Sequence, residues 1–477
     1  MARRTSRIIF SLLLLLTCAH SARVLSQTKP AETTTTPNHT RPTVLARPVA
    51  QPPAAQPATP AKTTPSSAPS QPASVGAVAL PDIEPPPQPV IITHGLLVET
   101  LDGKLVAESA IDQPFNPASA VKLGTALAAL KNFGADHRFT TAVWTTGTFD
   151  PATGTITGDL IVSGRDPSFH YEHAVMIARE LNKRGIRTVT GDLVVSPGFT
   201  MNFDWSAQRS GDQFYDTLDA TRRPAAASRA WAEERSLVRD TQSLQTTPSV
   251  AVMGAVYVAP VPAGARTLLI HKSSRLVDVL KVLLCYSNNF MAERIGDTLG
   301  GASGVQGFLM RELKLNPAEV KLASTSGLGV NRVTPRAMMK IYRALRDELA
   351  RNKLNVADIL PVAGIDPGTL EKRYTDFLSR GSVIAKTGTL IRTDGGVSAL
   401  VGQMRTKSGE TLLFVIFNQR GSVWRFRESQ DALVAQFQNA RGGPAPFKYT
   451  APPISVRLAS TELKHAPARQ DEYEPAQ

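Results

Sequence analysis

The sequence predicts an α+β fold, a mixed α/β arrangement in which an antiparallel sheet is flanked by helices. Three observations lead to this prediction. A pair of strands opens the ordered region, segments of helical periodicity alternate with strand-like segments, and a second pair of strands closes it. With 477 residues, 42 % of them hydrophobic, the chain is long enough to bury a sizeable core.

The first 22 residues have the pattern of a secretory signal peptide. Arg3, Arg4 and Arg7 precede an apolar run over 8–19, and small residues at 19–22 offer a cleavage site. The run is short for a bilayer span, and an uncleaved anchor is the alternative interpretation. We therefore expect an exported protein of the periplasm or cell-wall space, in contact with a membrane only if this segment is retained.

Two further segments are predicted to lack a packed core. Residues 23–89 are dominated by Pro, Thr, Ala, Ser and Gln, which is typical of a disordered linker, and residues 446–477 are predicted to be a flexible tail. Once a signal peptide is removed only Cys285 remains, so no internal disulfide is expected.

The net charge of +13 arises from 53 basic and 40 acidic residues. It favours acidic surroundings, yet the basic residues are scattered and no dense Lys/Arg run is interleaved with aromatic residues. We therefore expect no nucleic-acid partner, whereas an acidic cell-wall polymer fits the charge.

The first half of the ordered region begins with a hairpin. Asp102-Gly103 is a tight-turn signal between strand-like residues 95–101 and 104–108. A helix is predicted over 119–133, between Pro117 and Gly134. Further predictions are strand-like patterning over 139–164, a helix over 171–183 and irregular structure over 198–249.

The second half is mostly helical before it returns to strands. Helical periodicity extends over 276–313 and resumes after Thr334-Pro335, a capping residue followed by a first-turn proline. Residues 396–402 and 411–417 are predicted strands joined by a turn near Gly409. We expect this closing pair to meet the opening hairpin.

Ser119 and Lys122 are the first candidate pair for chemistry. A serine hydroxyl is nearly inert at neutral pH and needs a base, and a lysine three residues later on a helix lies on the same face. To act as that base, Lys122 needs its pKa lowered from about 10.4 to about 7, which burial and a nearby cation would achieve. The spacing alone is weak evidence, because it recurs by chance at Ser26 and Lys29.

Two later segments fit the same chemistry. Ser287-Asn288-Asn289 stands at a predicted helix start, with an ordinary helix cap as the alternative. Lys386-Thr387-Gly388-Thr389 follows the apolar segment 383–385, and a solvated strand lysine is the alternative there. Gly388 argues for function, because a missing side chain would let a substrate backbone lie along the strand edge.

Together and in this order, the three segments resemble the motifs of penicillin-binding proteins and serine β-lactamases. Their flanks resemble the D-alanyl-D-alanine carboxypeptidase/endopeptidase family of low-molecular-mass penicillin-binding proteins, over about residues 90–439. The resemblance implies a penicillin-binding/β-lactamase-like transpeptidase fold for residues 90–445, with a smaller, shortened subdomain inserted at about 138–265 between the first and second motifs. The segments that carry it are 116–123, 157–160, 164–167, 191–195, 287–293, 331–335 and 385–390.

The resemblance also implies roles for the first two motifs. Ser119 is expected to be the nucleophile, Lys122 the base that accepts its proton, and Ser287 a relay that passes a proton to the departing amine. Asn289 is expected to bind the backbone amide of the substrate.

For the third motif, the resemblance implies that Lys386 supplies positive potential and, with Thr387, holds the terminal carboxylate of the substrate. The backbone N–H groups of Ser119 and Thr389 are expected to form the oxyanion hole. No metal or other cofactor is required. The implied activity is that of a serine-type D-Ala-D-Ala carboxypeptidase or endopeptidase acting on peptidoglycan peptides, with β-lactams as covalent inhibitors.

Three departures from the family pattern stand out. The stretch from Ser119 to Ser287 is shorter than usual, Cys285 stands where relatives typically carry a lysine, and Ser324 replaces an acidic residue. Two alternatives therefore stay open: a serine β-lactamase or esterase on the same fold, and a catalytically silent wall-binding protein.

Overall fold

The computed structural model describes residues 93–451 and 453–465. The predicted signal peptide and linker, residues 1–22 and 23–89, lie outside this part, as do residues 466–477 of the predicted tail. No helix within the described residues is both long and apolar enough to cross a bilayer.

The secondary structure alternates strands and helices, as the sequence predicts. The strands are β1 (His94–Thr100), β2 (Leu105–Ser109), β3 (Thr140–Thr145), β4 (Thr148–Asp150), β5 (Thr155–Thr157), β6 (Leu160–Gly164), β7 (Thr188–Val189), β8 (Leu193–Val195), β9 (Ala251–Val252), β10 (Val256–Val258), β11 (Arg266–Lys272), β12 (Val320–Lys321), β13 (Arg332–Val333), β14 (Val383–Leu390), β15 (Val397–Arg405), β16 (Thr411–Gln419) and β17 (Glu462–His465). The helices are α1 (Lys122–Phe133), α2 (Tyr171–Lys183), α3 (Ala207–Leu218), α4 (Ala225–Leu237), α5 (Leu276–Tyr286), α6 (Asn289–Asp297), α7 (Gly301–Leu313), α8 (Pro335–Arg351), α9 (Val423–Asn439) and α10 (Ile454–Ala459).

The central sheet is antiparallel, with the strand order β14-β15-β16-β1-β2. The opening strand β1 pairs along its whole length with the closing strand β16. This pairing confirms the prediction that the two pairs of strands meet. Helices cover both faces, so β15 is apolar on both sides: Val401 packs in the core with α1 and α8, whereas Leu400 packs with α9.

Helix α1 lies inside the larger core. Leu123, Leu127 and Leu130 are at most 1 % exposed, and even the small residues between them are buried. A helix that is apolar around its whole circumference belongs inside a domain rather than on its surface. A 3-10 turn, Ala118–Val121, precedes α1, so Ser119 lies on this turn and not in the α-helix that the sequence predicted to start there.

The segment between β3 and β11 forms a second sheet with the order β10-β8-β6-β3-β11-β17 and a core of its own. A smaller four-stranded sheet, β4-β5-β7-β9, adjoins it in sequence, and α2 packs Ile177 and Leu181 into the same core. Apart from β11 and β17, these elements lie within residues 138–265, the region predicted as the shortened insertion.

The prediction of irregular structure over 198–249 is wrong, because α3 and α4 lie there. The signals were weak but present. Ser206 caps α3, and Phe214 and Leu218 are buried four residues apart, as Ala227 and Trp231 are in α4. Many charged and small residues between these positions obscured the periodicity.

Part of the predicted tail is also ordered, which corrects that prediction. Helix α10 packs against the core beside α5, and β17 adds an antiparallel strand to the edge of β11. Short elements of this kind are stabilised mainly by the surface on which they pack, so they cannot be predicted from the local sequence pattern.

A buried ion pair fixes the middle of α5. Lys281 Nζ lies 2.7 Å from Asp366 Oδ2 and donates to the carbonyls of Ala357 and Leu360, and both charged side chains are at most 2 % exposed. Asp366 also accepts from the Tyr449 hydroxyl at 2.8 Å and from a backbone N–H. Every charge in this group is therefore compensated.

We expect Lys281→Met to lower the free energy of unfolding by about 3 kcal/mol, because it leaves the Asp366 carboxylate buried without its cation. Urea denaturation measures the loss. The double variant K281M/D366N should regain part of it, since no unpaired charge remains. A loss below about 1 kcal/mol in K281M would contradict the importance of this pair.

Candidate active site

The Ser119 turn, residues Ala118–Val121, is held in an uncommon backbone conformation. Ala118 has φ 46°, the left-handed region that non-glycine residues rarely adopt. Its N–H donates to Asn116 Oδ1 at 3.0 Å. The turn also packs so closely on Gly327 that a Cβ there would lie 1.9 Å from the Ala118 carbonyl oxygen. These contacts hold Ser119 at the start of α1, partly exposed.

The structure brings Ser119, Lys122 and Asn289 together. Lys122 Nζ lies 3.1 Å from Ser119 Oγ and 2.7 Å from Asn289 Oδ1, and it also donates to the Ser326 carbonyl at 2.6 Å. Lys122 is fully buried, while Ser119 and Asn289 are partly exposed. The first two predicted motifs therefore meet at one amine.

Burial lowers the pKa of Lys122 from 10.5 to about 7, and the carboxylate of Glu293 opposes that shift. The predicted shift is present, but its leading cause is removal of the amine from water and not a neighbouring cation. Lys122 is consequently close to half neutral at neutral pH.

Ser287 and Lys386 form a second pair. Lys386 Nζ donates to Ser287 Oγ at 2.9 Å and to the Thr387 carbonyl at 2.8 Å. Burial and then the charge of Lys122 lower the pKa of Lys386. The helix start predicted at Ser287-Asn288-Asn289 is confirmed, because Asn288 caps α6 and Asn289 begins it. Ser287 itself precedes that start and ends α5 in a left-handed conformation, φ 56°.

Strand β14 presents alternate residues to two different surroundings. Lys386 and Gly388 pair with Val401 and Ala399, which belong to the core around α1. Thr387 pairs with Leu400 in the core beneath α9, so Thr387 and Thr389 face that helix. The third motif therefore divides between two faces of the strand.

Gly388 also has a structural role that the sequence did not predict. A Cβ at this position would lie 2.4 Å from the Pro117 carbonyl oxygen and 3.1 Å from the Ala118 Cβ. The missing side chain thus admits the backbone of the Ser119 turn. Gly388 positions Ser119 against β14.

Glu293 is a site residue that the sequence did not single out. Its carboxylate accepts from the Ser326 N–H at 2.9 Å and from the Thr325 hydroxyl at 2.6 Å. Burial raises the pKa of Glu293, but these hydrogen bonds outweigh it, and the net shift is downward. Glu293 therefore fixes the segment whose Ser326 carbonyl binds Lys122. Its position four residues after Asn289, on the same face of α6, was the available signal.

Ser324, one of the three departures from the expected family pattern, forms hydrogen bonds to the backbone of its own loop. Its hydroxyl accepts from the Gly327 N–H and donates to the Leu328 carbonyl, both at 2.9 Å. A carboxylate could make only the first of these bonds. These two hydrogen bonds join Ser324 to the backbone on the C-terminal side of Ser326.

A second network joins the Ser119 turn to two loops. Asn116 Nδ2 donates to the Gly329 carbonyl at 3.0 Å and to Asp394 Oδ2 at 2.8 Å, and Arg332 pairs with both oxygens of Asp394. The sequence named the segments of Asn116 and Arg332 only through the resemblance, and it gave no signal for Asp394. This network connects Asn116, two residues before Ala118, to the loops that carry Gly329 and Asp394.

Cys285, the remaining departure, is buried, and burial raises the pKa of its thiol to about 12. It therefore brings no charge to the site. Lys281 lies one helical turn earlier but is paired with Asp366.

The region predicted as an insertion contacts the site through two aromatic residues. Phe203 and Trp205 lie 5.7 and 4.8 Å, ring centroid to ring centroid, from Phe290, the neighbour of Asn289. Arg294 stacks on Trp205 at 5.0 Å. Among the described residues, no group of three or more His, Cys, Asp or Glu side chains is arranged to hold a metal ion.

Known proteins with similar sequences are carboxypeptidases. The chain is 28 % identical to carboxypeptidase DacB of Mycolicibacterium smegmatis, covering 78 % of this chain and 84 % of that protein. It is also 28 % identical to a D-alanyl-D-alanine carboxypeptidase of Actinomadura sp., covering 76 % and 84 %.

Solved structures with the same fold are penicillin-binding enzymes. The predatory peptidoglycan endopeptidase Bd3459 of Bdellovibrio bacteriovorus matches with a TM-score of 0.64 at 21 % identity, over 79 % of this chain and 99 % of that one. Penicillin binding protein 4 of Haemophilus influenzae matches with a TM-score of 0.53 at 22 % identity, over 72 % and 97 %. These matches confirm the predicted fold.

The profile of the D-Ala-D-Ala carboxypeptidase 3 (S13) family matches residues 92–222 and 216–440, most of the described chain. This match confirms the resemblance and the enzyme class predicted from the motifs. The chain belongs to the D-Ala-D-Ala carboxypeptidase 3 (S13) family of serine peptidases.

Proposed function

We propose that this protein is an exported serine D-Ala-D-Ala carboxypeptidase/endopeptidase that cleaves peptidoglycan stem peptides through an acyl-enzyme on Ser119. The observation that carries the proposal is the buried Lys122 amine, 3.1 Å from the Ser119 hydroxyl. A nucleophilic serine needs a base that is neutral at working pH, and the pKa of Lys122, lowered to about 7, meets this need.

The partners of Lys122 orient its lone pair. Asn289 Oδ1 and the Ser326 carbonyl only accept hydrogen bonds, so a neutral amine donates one N–H to each. The lone pair is then left for the Ser119 hydroxyl. As Ser119 Oγ attacks the carbonyl carbon, Lys122 takes its proton and becomes an ammonium with three hydrogen-bond acceptors around it.

Ser287 and Lys386 are proposed to complete the acylation step. The Ser287 hydroxyl, bonded to Lys386 Nζ, passes its proton to the departing amine and receives in return the proton that Lys122 took from Ser119, which makes Lys122 neutral again. Water then attacks the acyl-enzyme and releases the shortened peptide, with Lys122 again as base. The N–H groups of Ser119 and Thr389 are proposed to bind the oxyanion, since Gly388 holds these two segments in contact.

The substrate class is supported by relatives of this chain. Bd3459 is described as a predatory peptidoglycan endopeptidase and has been solved acylated by penicillin G, and the Haemophilus influenzae protein has been solved with a β-lactam. We extend both properties to this chain as part of the proposal. The intact contacts of Ser119, Lys122 and Asn289 argue against a catalytically silent wall-binding protein.

We expect a fluorescent penicillin to label the wild-type protein stably and to leave Ser119→Ala unlabelled, because only the hydroxyl can form the ester. Gel fluorescence after denaturation measures the label. Ser26→Ala, which alters the chance match in the linker, is the matched control and should label normally. Rapid loss of label would indicate a β-lactamase instead, and absence of wild-type labelling would indicate a silent homologue.

The rate of acylation should fall with decreasing pH below about 7, the pKa of Lys122, because protonation removes the lone pair. Glu293→Gln removes the anion that raises this pKa, so its acid limb should move to lower pH. The pH profile of kcat/KM measures the shift. Glu312→Gln removes one negative charge from α7 and is the control, so its pH profile should match that of the wild type. A pH profile of E293Q that also matches the wild type would contradict the assignment of Lys122 as the base.

Export is proposed from the signal-like residues 1–22. We expect a pulse-labelled precursor to be shortened and to leave the cytoplasm. Leu14→Arg, which interrupts the apolar run, should block both events, whereas Thr28→Arg in the linker should not. Cytoplasmic retention of the wild-type chain would contradict export without affecting the proposed chemistry.

A further inference from the structure

Asp394 belongs to the loop between β14 and β15, residues 391–396, and links this loop to the Ser119 turn. Its Oδ2 accepts from Asn116 Nδ2 at 2.8 Å, and Arg332 donates to Oδ2 at 2.9 Å and to Oδ1 at 2.8 Å. Hydrogen bonds from Arg332 and then Asn116 lower the pKa of the Asp394 carboxyl group, although partial burial opposes them. Asp394 is therefore ionised at neutral pH and accepts hydrogen bonds with both oxygens.

Three hydrogen bonds fix the orientation of the Asn116 amide, which is 1 % exposed. Nδ2 donates to the Asp394 carboxylate at 2.8 Å and to the Gly329 carbonyl at 3.0 Å, whereas Oδ1 accepts from the Ala118 N–H at 3.0 Å. A carboxylate and a carbonyl only accept and a backbone N–H only donates, so a flipped amide would lose all three bonds. The bond to Asp394 is the charged one of the three, and a charge-assisted bond is stronger than a neutral one.

The Ala118 N–H is important because Ala118 precedes the proposed nucleophile. Ala118 has φ 46°, a conformation that is unfavourable for a non-glycine residue unless its surroundings support it. Its hydrogen bond to Asn116 Oδ1 closes an Asx turn, which supplies that support. A change in the Ala118 backbone would redirect both the N–H and the hydroxyl of Ser119. Asp394 therefore acts on Ser119 through Asn116.

The strand that leads to Asp394 also carries the second proposed oxyanion donor. Thr389 lies in β14, and Asp394 follows it by five residues, in the loop that leaves this strand. On the other side of Thr389, Gly388 packs so closely on the Ser119 turn that a Cβ there would lie 2.4 Å from the Pro117 carbonyl oxygen. The turn is thus attached to β14 and its loop at two points, one before and one after Thr389.

We infer that Asp394 is a positioning residue for the oxyanion hole: through Asn116 it holds the Ser119 N–H at the distance from the Thr389 N–H that an oxyanion between them requires. The inference rests on the proposed function. The carbonyl oxygen becomes negatively charged only as the tetrahedral intermediate forms, so a displaced donor weakens binding of the transition state more than binding of the substrate. Loss of the Asp394–Asn116 bond should therefore lower kcat and leave KM nearly unchanged.

The test measures two quantities in the full-length chain: cleavage of an N-acylated D-Ala-D-Ala dipeptide, and inhibition by an N-acyl boronic acid analogue of D-alanine. The boronic acid binds a serine hydroxyl as a tetrahedral adduct and places an oxygen where the oxyanion would lie. A displaced donor should raise its Ki by the same factor by which kcat falls. Partial unfolding would not raise Ki, because Ki does not depend on the fraction of active molecules.

Asn116→Asp places a carboxylate opposite Asp394 and keeps the acceptor for the Ala118 N–H. We expect kcat of N116D to fall by about tenfold or more, with KM changed by less than about twofold and Ki raised in proportion to the fall in kcat. The double variant N116D/D394N exchanges the donor and the acceptor of the broken bond. It should recover at least about threefold of the lost kcat, because an N–H again faces a carboxylate oxygen.

Asp394→Asn alone replaces the charged acceptor by a neutral one, and kcat should fall by about threefold, with a matching rise in Ki. Asp112→Asn is the matched control. Asp112 forms the same kind of two-bond pair with Arg336, at 2.7 and 3.0 Å, and is not a partner of the Asn116 amide. D112N should keep the kcat and Ki of the wild type.

Three results would overturn the inference: wild-type kcat and Ki in D394N, no recovery in N116D/D394N relative to N116D, or losses in D112N equal to those in D394N. Penicillin labelling separates these results from failure of the proposed function. If the wild type labels in a Ser119-dependent way and D394N behaves as the wild type, only the role of Asp394 is lost. If the wild type neither labels nor cleaves the dipeptide, the proposed function and the inference fall together.

Discussion

The burial of one amine is the constraint on which the site depends. Lys122 has no exposed surface, and its pKa, lowered from 10.5 to about 7, corresponds to a destabilisation of the ammonium on the order of 5 kcal/mol. The apolar packing of the core around α1 stabilises the fold and offsets this destabilisation. Because Nζ contacts Ser119, Asn289 and the Ser326 carbonyl, the same burial that creates a base also joins three distant segments.

The motifs of the site and the central sheet could be predicted from the sequence, because the chemistry requires particular residue types at fixed local spacings. Ser119 and Lys122 are one turn apart, and the strands that flank Lys386 have long apolar patterns, so the motifs and the central sheet were both accessible from the sequence. Ser287 and Lys386 are 99 residues apart in the chain, and their contact could be expected only from the resemblance. Local patterns carry no information about such distant contacts.

The features that escaped prediction are those set by tertiary packing. Ser287 adopts a left-handed conformation at the end of α5, and no propensity requires this of a serine. Gly388 was noticed, but its cause, the Pro117 carbonyl, lies far away in the sequence. Asp394 braces the Ser119 turn from a loop with no regular pattern. The ordering of residues 454–465 likewise depends on the surface to which they dock.

Strand β14 places the residues of one short motif in two different surroundings. The two-residue period of a strand sends Lys386 and Gly388 toward the buried amines and the Ser119 turn, and it sends Thr387 and Thr389 toward α9. The first face must be dry, because solvent would raise the pKa of Lys122. On the second face, Thr389 accepts a hydrogen bond from Arg427 of α9 at 2.9 Å. A residue insertion within β14 would exchange the two faces, so the spacing of this motif is a geometric requirement as much as a chemical one.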